Sequence, residues 1–248
     1  MPLTQRQREV LHEMGIPLWV RRGSIRGDTM ASVSHTRSEP EGAPQAGAPV
    51  PEGLSAVASP SVAELDWDAL RTRVAGCVAC TELASRRTQT VFGVGDRDAD
   101  WLFIGEAPGA EEDRRGEPFV GRAGQLLDNM LAALDLARGE NVYIANILKC
   151  RPPGNRDPRP DEMAACRPFL DRQIALIAPR VVVALGRVAA QALLASEAPL
   201  GRLRGGDHTY GGIPLVVTYH PAYLLRSPAE KAKAWNDLLR ARKLMLRS

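Results

Sequence analysis

No stretch of the 248-residue chain approaches the ~20 consecutive apolar residues needed to cross a bilayer. The opening residues, MPLTQRQREV, lack the apolar segment of a secretory signal. Charge of one sign is scarce as well: the formal net charge is +3, too small for a whole-molecule attraction to polyanions. Aromatics make up 5%, and His and Cys number four each. With no export signal, four thiols are not expected to pair as disulfides. These absences point away from membrane and secreted classes and towards a cytoplasmic protein.

What is present is ordinary globular composition, 44% hydrophobic and 25% charged, enough for one core domain and an appendage. Three parts are expected. Residues 1–22 hold a short helix, with Thr4 and Gln7 spaced as a capping box, and then an extended IPLWVRR segment. Residues 23–60 are rich in Gly, Ala, Pro and Ser with few apolar side chains, which suits a disordered linker. Residues 61–248 form the body. Its C-terminal end, from Arg226 to Ser248, carries seven Lys or Arg against Glu230 and Asp237, either a solvated helix face or a surface for phosphates.

Within the body, apolar runs alternate with helical patterns. Strands are expected at Trp101–Ile104, Val142–Ile147, Val181–Leu185 and Leu215–Thr218, with helices near 124–136, 161–177 and 187–194 and a last one from Pro228 towards Met245. Continuously apolar strands separated by helices imply a parallel sheet covered on both faces. The fold class is therefore α/β, a three-layer α/β/α sandwich around a mostly parallel four-stranded sheet. Unusual residues follow each strand: Gly105-Glu106-Ala107-Pro108-Gly109 after the first, Asn146 and Cys150 at the second, Gly186 after the third, His220-Pro221 after the fourth. Ligands of such sheets bind beyond the carboxyl ends of the strands, so these residues are expected to share one site.

The cysteines use every thiol of the chain in the pattern C-x2-C (Cys77, Cys80) and C-x15-C (Cys150, Cys166). Buried core thiols, a four-Cys zinc site and a [4Fe–4S] cluster all accommodate four cysteines, and spacing does not separate zinc from iron–sulfur. A bound metal would act as a clamp between distant segments.

Each candidate side chain has a plain reading beside the chemical one. His220 is either a structural residue or a proton donor at a strand end. Asn146 interrupts an apolar strand, and its amide, both donor and acceptor, suits the edge of a nucleobase or the capping of a loop. Phe119 is either core or a plate for a flat ring. Glu106, Glu111, Glu112 and Asp113 are acid/base candidates or a solvated acidic turn. Gly93-x-Gly95 precedes the first strong strand, the wrong order for a dinucleotide fingerprint.

Taken together, GEAPGAEEDRRGEPFVGRAGQLLD, NVYIANILKCRPPGNRDPRPDE, VVVALG, HPAYLLR and the four cysteines resemble the family 4 uracil-DNA glycosylases, over essentially Ser61 to Met245. The resemblance implies a monofunctional enzyme that flips uracil from single- or double-stranded DNA and leaves an abasic site. It implies a [4Fe–4S] cluster on Cys77, Cys80, Cys150 and Cys166, and a monomer working on bacterial nucleoid DNA. By motif position, Gly105, Ala107, Pro108 and Gly109 lie against base and sugar, Phe119 stacks on uracil and Asn146 bonds its Watson–Crick edge. His220 donates to the departing oxygen. Leu224, four residues on, is the expected wedge into the emptied stack, with Arg226 on phosphate. The loop departs from the superfamily's best-known Gly-Gln-Asp-Pro-Tyr, having Ala107 and Gly109 where Asp and Tyr stand. Glu106 is then a candidate for orienting water, and Glu112 for rejecting thymine. The alternatives are a related glycosylase acting on another deaminated base or trapping the sugar, and a module that binds damaged DNA without catalysis.

Overall fold

The computed structural model describes residues 61–246. The expected N-terminal helix, extended segment and linker lie outside the described residues. At Ser61 the capping box forms, with the Glu64 carboxylate accepting from the Ser61 N–H at 3.0 Å, but it closes only a 3-10 turn over Val62–Glu64. The helix that buries Leu70 and Val74 starts later. Asp66 is its cap, accepting from the Ala69 N–H at 2.8 Å.

In chain order the elements are α1 (Trp67–Ala75), α2 (Thr81–Arg86), β1 (Val94–Gly95), β2 (Trp101–Gly105), α3 (Ala110–Arg115), α4 (Arg122–Ala133), β3 (Val142–Asn146) and α5 (Pro160–Ile177). They continue as β4 (Val181–Leu185), α6 (Arg187–Leu194), α7 (Leu200–Leu203), β5 (His208–Tyr210), β6 (Ile213–Thr218), α8 (Pro221–Arg226) and α9 (Lys231–Met245). The sheet has six strands in the order β1-β3-β2-β4-β6-β5 rather than the four expected. The four central strands are the expected ones and are mutually parallel, while β1 and β5 are antiparallel additions at the two edges. Edge strands are covered less completely, so neither Val-Gly nor His-Thr-Tyr carries the apolar run that marks a central strand.

Alternation along the strands separates two cores. Trp101 and Phe103 of β2 face one side, where they meet Leu127 and Met130 of α4, Leu224 of α8 and Leu238 of α9. Leu102 and Ile104 face the other, against Leu170 and Ile174 of α5 and Ala190 and Leu193 of α6. The three-layer α/β/α expectation holds. A third apolar cluster, with Leu70, Val74, Leu83 and Phe169, surrounds Cys150 and Cys166 beside the sheet.

Candidate active site

A cleft of about 450 Å³ opens beyond the carboxyl ends of the central strands. It gathers Glu106, Ala107, Pro108, Gly109 and Glu112 from the β2 end and α3, Phe119 before α4, Asn146 from the last residue of β3, and His220 and Arg226 around α8. Most residues singled out from sequence thus share one cavity. A larger groove of about 700 Å³ along the β1 edge holds none of them.

Phe119 occupies the left-handed region, φ +56°, costly for a residue with a Cβ. Three contacts hold it there. Arg138 donates to the carbonyls of Pro118 and Phe119, each at 2.8 Å. Glu112 Oε1 accepts from the N–H groups of Val120 (3.0 Å) and Gly121 (3.2 Å), tying down the turn that follows. Gly124 completes the fit: a Cβ there would stand 1.7 Å from the Phe119 carbonyl oxygen. Gly105 likewise makes room for both Asn146 and Phe119, since a Cβ on it would lie 2.4 Å from Asn146 Oδ1 and 2.6 Å from the Phe119 ring. The glycine at the end of β2 therefore lets the plate and the amide approach each other.

Asn146 is 2% exposed, and its Oδ1 is buried without a hydrogen-bond partner. A buried carbonyl acceptor left unpaired costs about 1–3 kcal/mol, and Asn146 is one of the residues lining the cleft. His220 lies with its ring centroid 5.5 Å from that of Phe119, the planes 30° apart. The two rings already touch, so a flat ligand cannot slip between them. The His220 Nδ1 accepts from the Ala222 N–H at 3.1 Å, which puts the proton of the neutral imidazole on Nε2. Burial, and then the Arg226 charge, push the His220 pKa down to about 4, with Glu112 opposing weakly, so the ring is neutral at pH 7. Burial raises Glu106 to about 7, with Asp157 adding to the rise and Arg187 opposing it.

One expected residue is misplaced. Leu224 is fully buried in the core under α8, among Leu127 and Met130, and cannot reach DNA without the helix unpacking. Helical geometry turns the residue before it outward, and Tyr223, 38% exposed, lines the cleft mouth beside Arg226. Sequence reasoning also missed Arg138, a lone basic residue after α4 with no motif to mark it. It did not foresee that Asn155, Arg156 and Asp157 of the polar loop after Cys150 would form a wall of the cleft. Arg156 anchors that wall, with a two-pronged bond to the buried Glu162 of α5 (2.9 and 2.5 Å).

The four cysteines come from separate places: the loop after α1, the N-cap of α2, the loop after β3 and the middle of α5. Cys150 and Cys166 are buried, Cys77 and Cys80 half-buried, and none of the four is in a disulfide. Burial raises the thiol pKa of Cys80, Cys150 and Cys166, the last to about 11, and each is pushed further by other cysteines of the set. Cys150 and Cys166 belong to one apolar cluster, and Cys77 and Cys80 pack against it. Arg87 donates to Cys150 Sγ at 3.0 Å and the Lys149 N–H to Cys166 Sγ at 3.4 Å. Among the described residues, no three or more His, Cys, Asp or Glu side chains are grouped closely enough to hold a metal ion.

Residues 92–239 match the family model of the uracil DNA glycosylase superfamily. A type-4 uracil-DNA glycosylase of Thermotoga maritima is 45% identical over 163 residues, 65% of this chain and 84% of the relative. Those of Archaeoglobus fulgidus and Pyrobaculum aerophilum are 42% and 40% identical, covering 68% and 70% of this chain and 88% and 92% of theirs. Identity of this depth over most of each relative, on a fold whose cleft holds the expected amide, aromatic and imidazole, leaves one assignment: the chain belongs to the type-4 branch of the uracil DNA glycosylase superfamily.

Proposed function

We propose that the protein excises uracil from single- and double-stranded DNA by hydrolysing its N-glycosidic bond. The observation that carries the reading is the unpartnered Asn146 Oδ1, buried beside the Phe119 ring, in a cleft that Asn146, Phe119 and the His220 imidazole line together. A carboxamide pairs through its oxygen with N3–H of uracil and through its nitrogen with O4. A base in the duplex must first be flipped out, at a cost of a few kcal/mol, and stacking on Phe119 returns ~1–3 kcal/mol.

When the bond from the sugar C1′ to N1 breaks, the electron pair leaves with uracil. Negative charge then grows on O2, where the Nε2–H of a neutral His220 donates a hydrogen bond. Water supplies the new C1′–O bond, and its proton passes to Glu106 or solvent. Glu106, with a pKa raised to about 7, is half ionised near neutrality and is suited to orienting that water. Backbone from Gly105 to Gly109 lines the base and sugar, and Arg226 takes a phosphate at the mouth. The Glu112 carboxylate, spent on two backbone N–H groups, would reject thymine as a fixed wall of the cleft.

Cys77, Cys80, Cys150 and Cys166 would hold a [4Fe–4S] cluster. The donor set supports it: four thiols in or against one apolar cluster, two of them with N–H donors on sulfur. Its contribution would be mechanical, joining the loop after α1, the start of α2, the loop after β3 and α5. Glu162, one helical turn before Cys166, carries that fixation through Arg156 into the cleft wall. The body is proposed as one domain over residues 61–248, acting as a monomer on chromosomal DNA in the cytoplasm. No helix among the described residues is long and apolar enough to cross a membrane.

The test is uracil release from oligonucleotides containing one uracil, using brown, cluster-loaded protein. Free uracil and alkali-labile strands are expected, with no release from a thymine mismatch. Failure to release uracil from either single-stranded or duplex DNA would sink the reading.

A further inference from the structure

The chemistry above leaves unused a column of planar groups around His220. Tyr219 directly precedes the imidazole and Tyr223 follows it by three residues. Their rings stack with centroids 5.2 Å apart and planes 18° from parallel. On Tyr219 rests the Arg204 guanidinium, 4.3 Å from the ring centroid. Arg204 is itself fixed by a two-pronged bond to the buried carboxylate of Asp237 (2.8 and 3.0 Å) and by the Lys233 carbonyl (3.1 Å). Asp237, Arg204, Tyr219 and Tyr223 thus form a stack anchored in α9 at one end. The other end is the exposed Tyr223 at the cleft mouth.

An exposed ring held this way has already lost its rotamer freedom, so a further flat group can add to the column at little extra entropic cost. We propose that the outer face of Tyr223 is a second nucleobase subsite, which receives the base next to the flipped uracil on the same strand. The proposal rests on the glycosylase reading and deepens it. His220 caps the helix whose first turn carries Tyr223, and the Tyr223 N–H donates to the His220 carbonyl at 2.9 Å, so the two side chains leave one turn of backbone. A base one nucleotide from the uracil is tethered within reach of that turn, and Arg226 stands at the same mouth for the phosphate between them. Stacking on a tyrosine face is indifferent to base identity, so the subsite adds grip without sequence preference.

The test uses the cluster-loaded full chain, single-stranded and duplex oligonucleotides with one uracil, and matched oligonucleotides whose neighbouring nucleotide lacks its base. Tyr223→Ala should raise KM on the order of 10- to 100-fold on single strands and duplex alike, with the loss in KM rather than kcat. Tyr223→Phe should restore it. Removing the neighbouring base should penalise the wild type and leave Tyr223→Ala nearly indifferent. A loss confined to duplex would mean that Tyr223 only fills the gap in the stack, and would overturn the proposal, as would unchanged KM on both substrates. A fluorescent 2-aminopurine beside the uracil gives a readout independent of turnover: quenching by wild type but not by Tyr223→Ala supports the subsite, and equal quenching refutes it. Absence of uracil release by wild type would instead count against the glycosylase reading.

Discussion

Arg138 holds Phe119 by its backbone: one guanidinium donates to the Pro118 and Phe119 carbonyls and is steadied by Asp128 at 2.9 Å. The ring stands where it does because its residue is kept in a left-handed conformation that costs roughly 1–2 kcal/mol. Arg138→Gln removes the fork. The turn should relax and the plate move, raising KM for uracil-containing DNA on the order of 10-fold and lowering stability by about 1–3 kcal/mol. Arg138→Lys, a point charge without the fork, should recover only part of the KM. Steady-state kinetics beside a denaturant titration check both; a stability loss without a KM change would make Arg138 merely structural.

His220→Ala should lower kcat by about 10²–10³-fold, the usual cost of one missing donor to a developing anion. The fold should survive, since the side chain's only described hydrogen bond is the one from Ala222 N–H, a helix cap usually worth about 1 kcal/mol. Single-turnover rates at saturating enzyme separate this from a binding defect. A rate within a few-fold of wild type would remove His220 from the chemistry.

The central sheet was legible because its four strands are buried on both faces and so read as unbroken apolar runs ended by Gly, Asn or His. The same logic gathered Glu106, Asn146 and His220 at one edge before any coordinates. What escaped detection depends on direction rather than composition. Leu224 and Tyr223 are adjacent and both apolar enough to be a wedge; only the register of α8 decides that Leu224 enters the core and Tyr223 faces out. Arg138 acts through two carbonyls, and carbonyls leave no trace in a sequence.

Leu224→Ala follows from that register. Deleting a fully buried leucine between α4 and the sheet should cost about 2–5 kcal/mol of stability. At a temperature where the variant stays folded, its KM on duplex and on single strands should change together or not at all. A selective loss on duplex DNA, with stability intact, would reinstate Leu224 as the wedge.

Cys166→Ser should abolish the brown colour and lower the iron content while depressing the melting temperature by several degrees or more. Through Glu162 and Arg156 it should also loosen the 152–157 wall, seen as faster amide exchange in that loop. A colourless wild-type protein carrying zinc in place of iron, or a Cys166→Ser variant that keeps the wild-type colour and iron content, would refute the cluster.

Glu106 and His220 should give opposite pH signatures. Glu106 has a folded pKa raised from 4.5 to about 7, so its contribution to stability is present below pH 4.5 and lost as pH rises through 7. His220 has one lowered from 6.5 to about 4, so its contribution is present above pH 6.5 and lost as pH falls through 4. Glu106→Gln should therefore gain stability relative to wild type progressively between pH 4.5 and 7, the reverse of ordinary acid denaturation. Activity should move the other way. If the carboxylate orients water, kcat/KM of the wild type climbs around pH 7, and in Glu106→Gln that limb disappears at a lower, flat rate. The stability shift without the kinetic one would mean that Glu106 is only a buried wall residue and that another group orients the water. The two measurements together decide between a base and a bystander on the same carboxyl group.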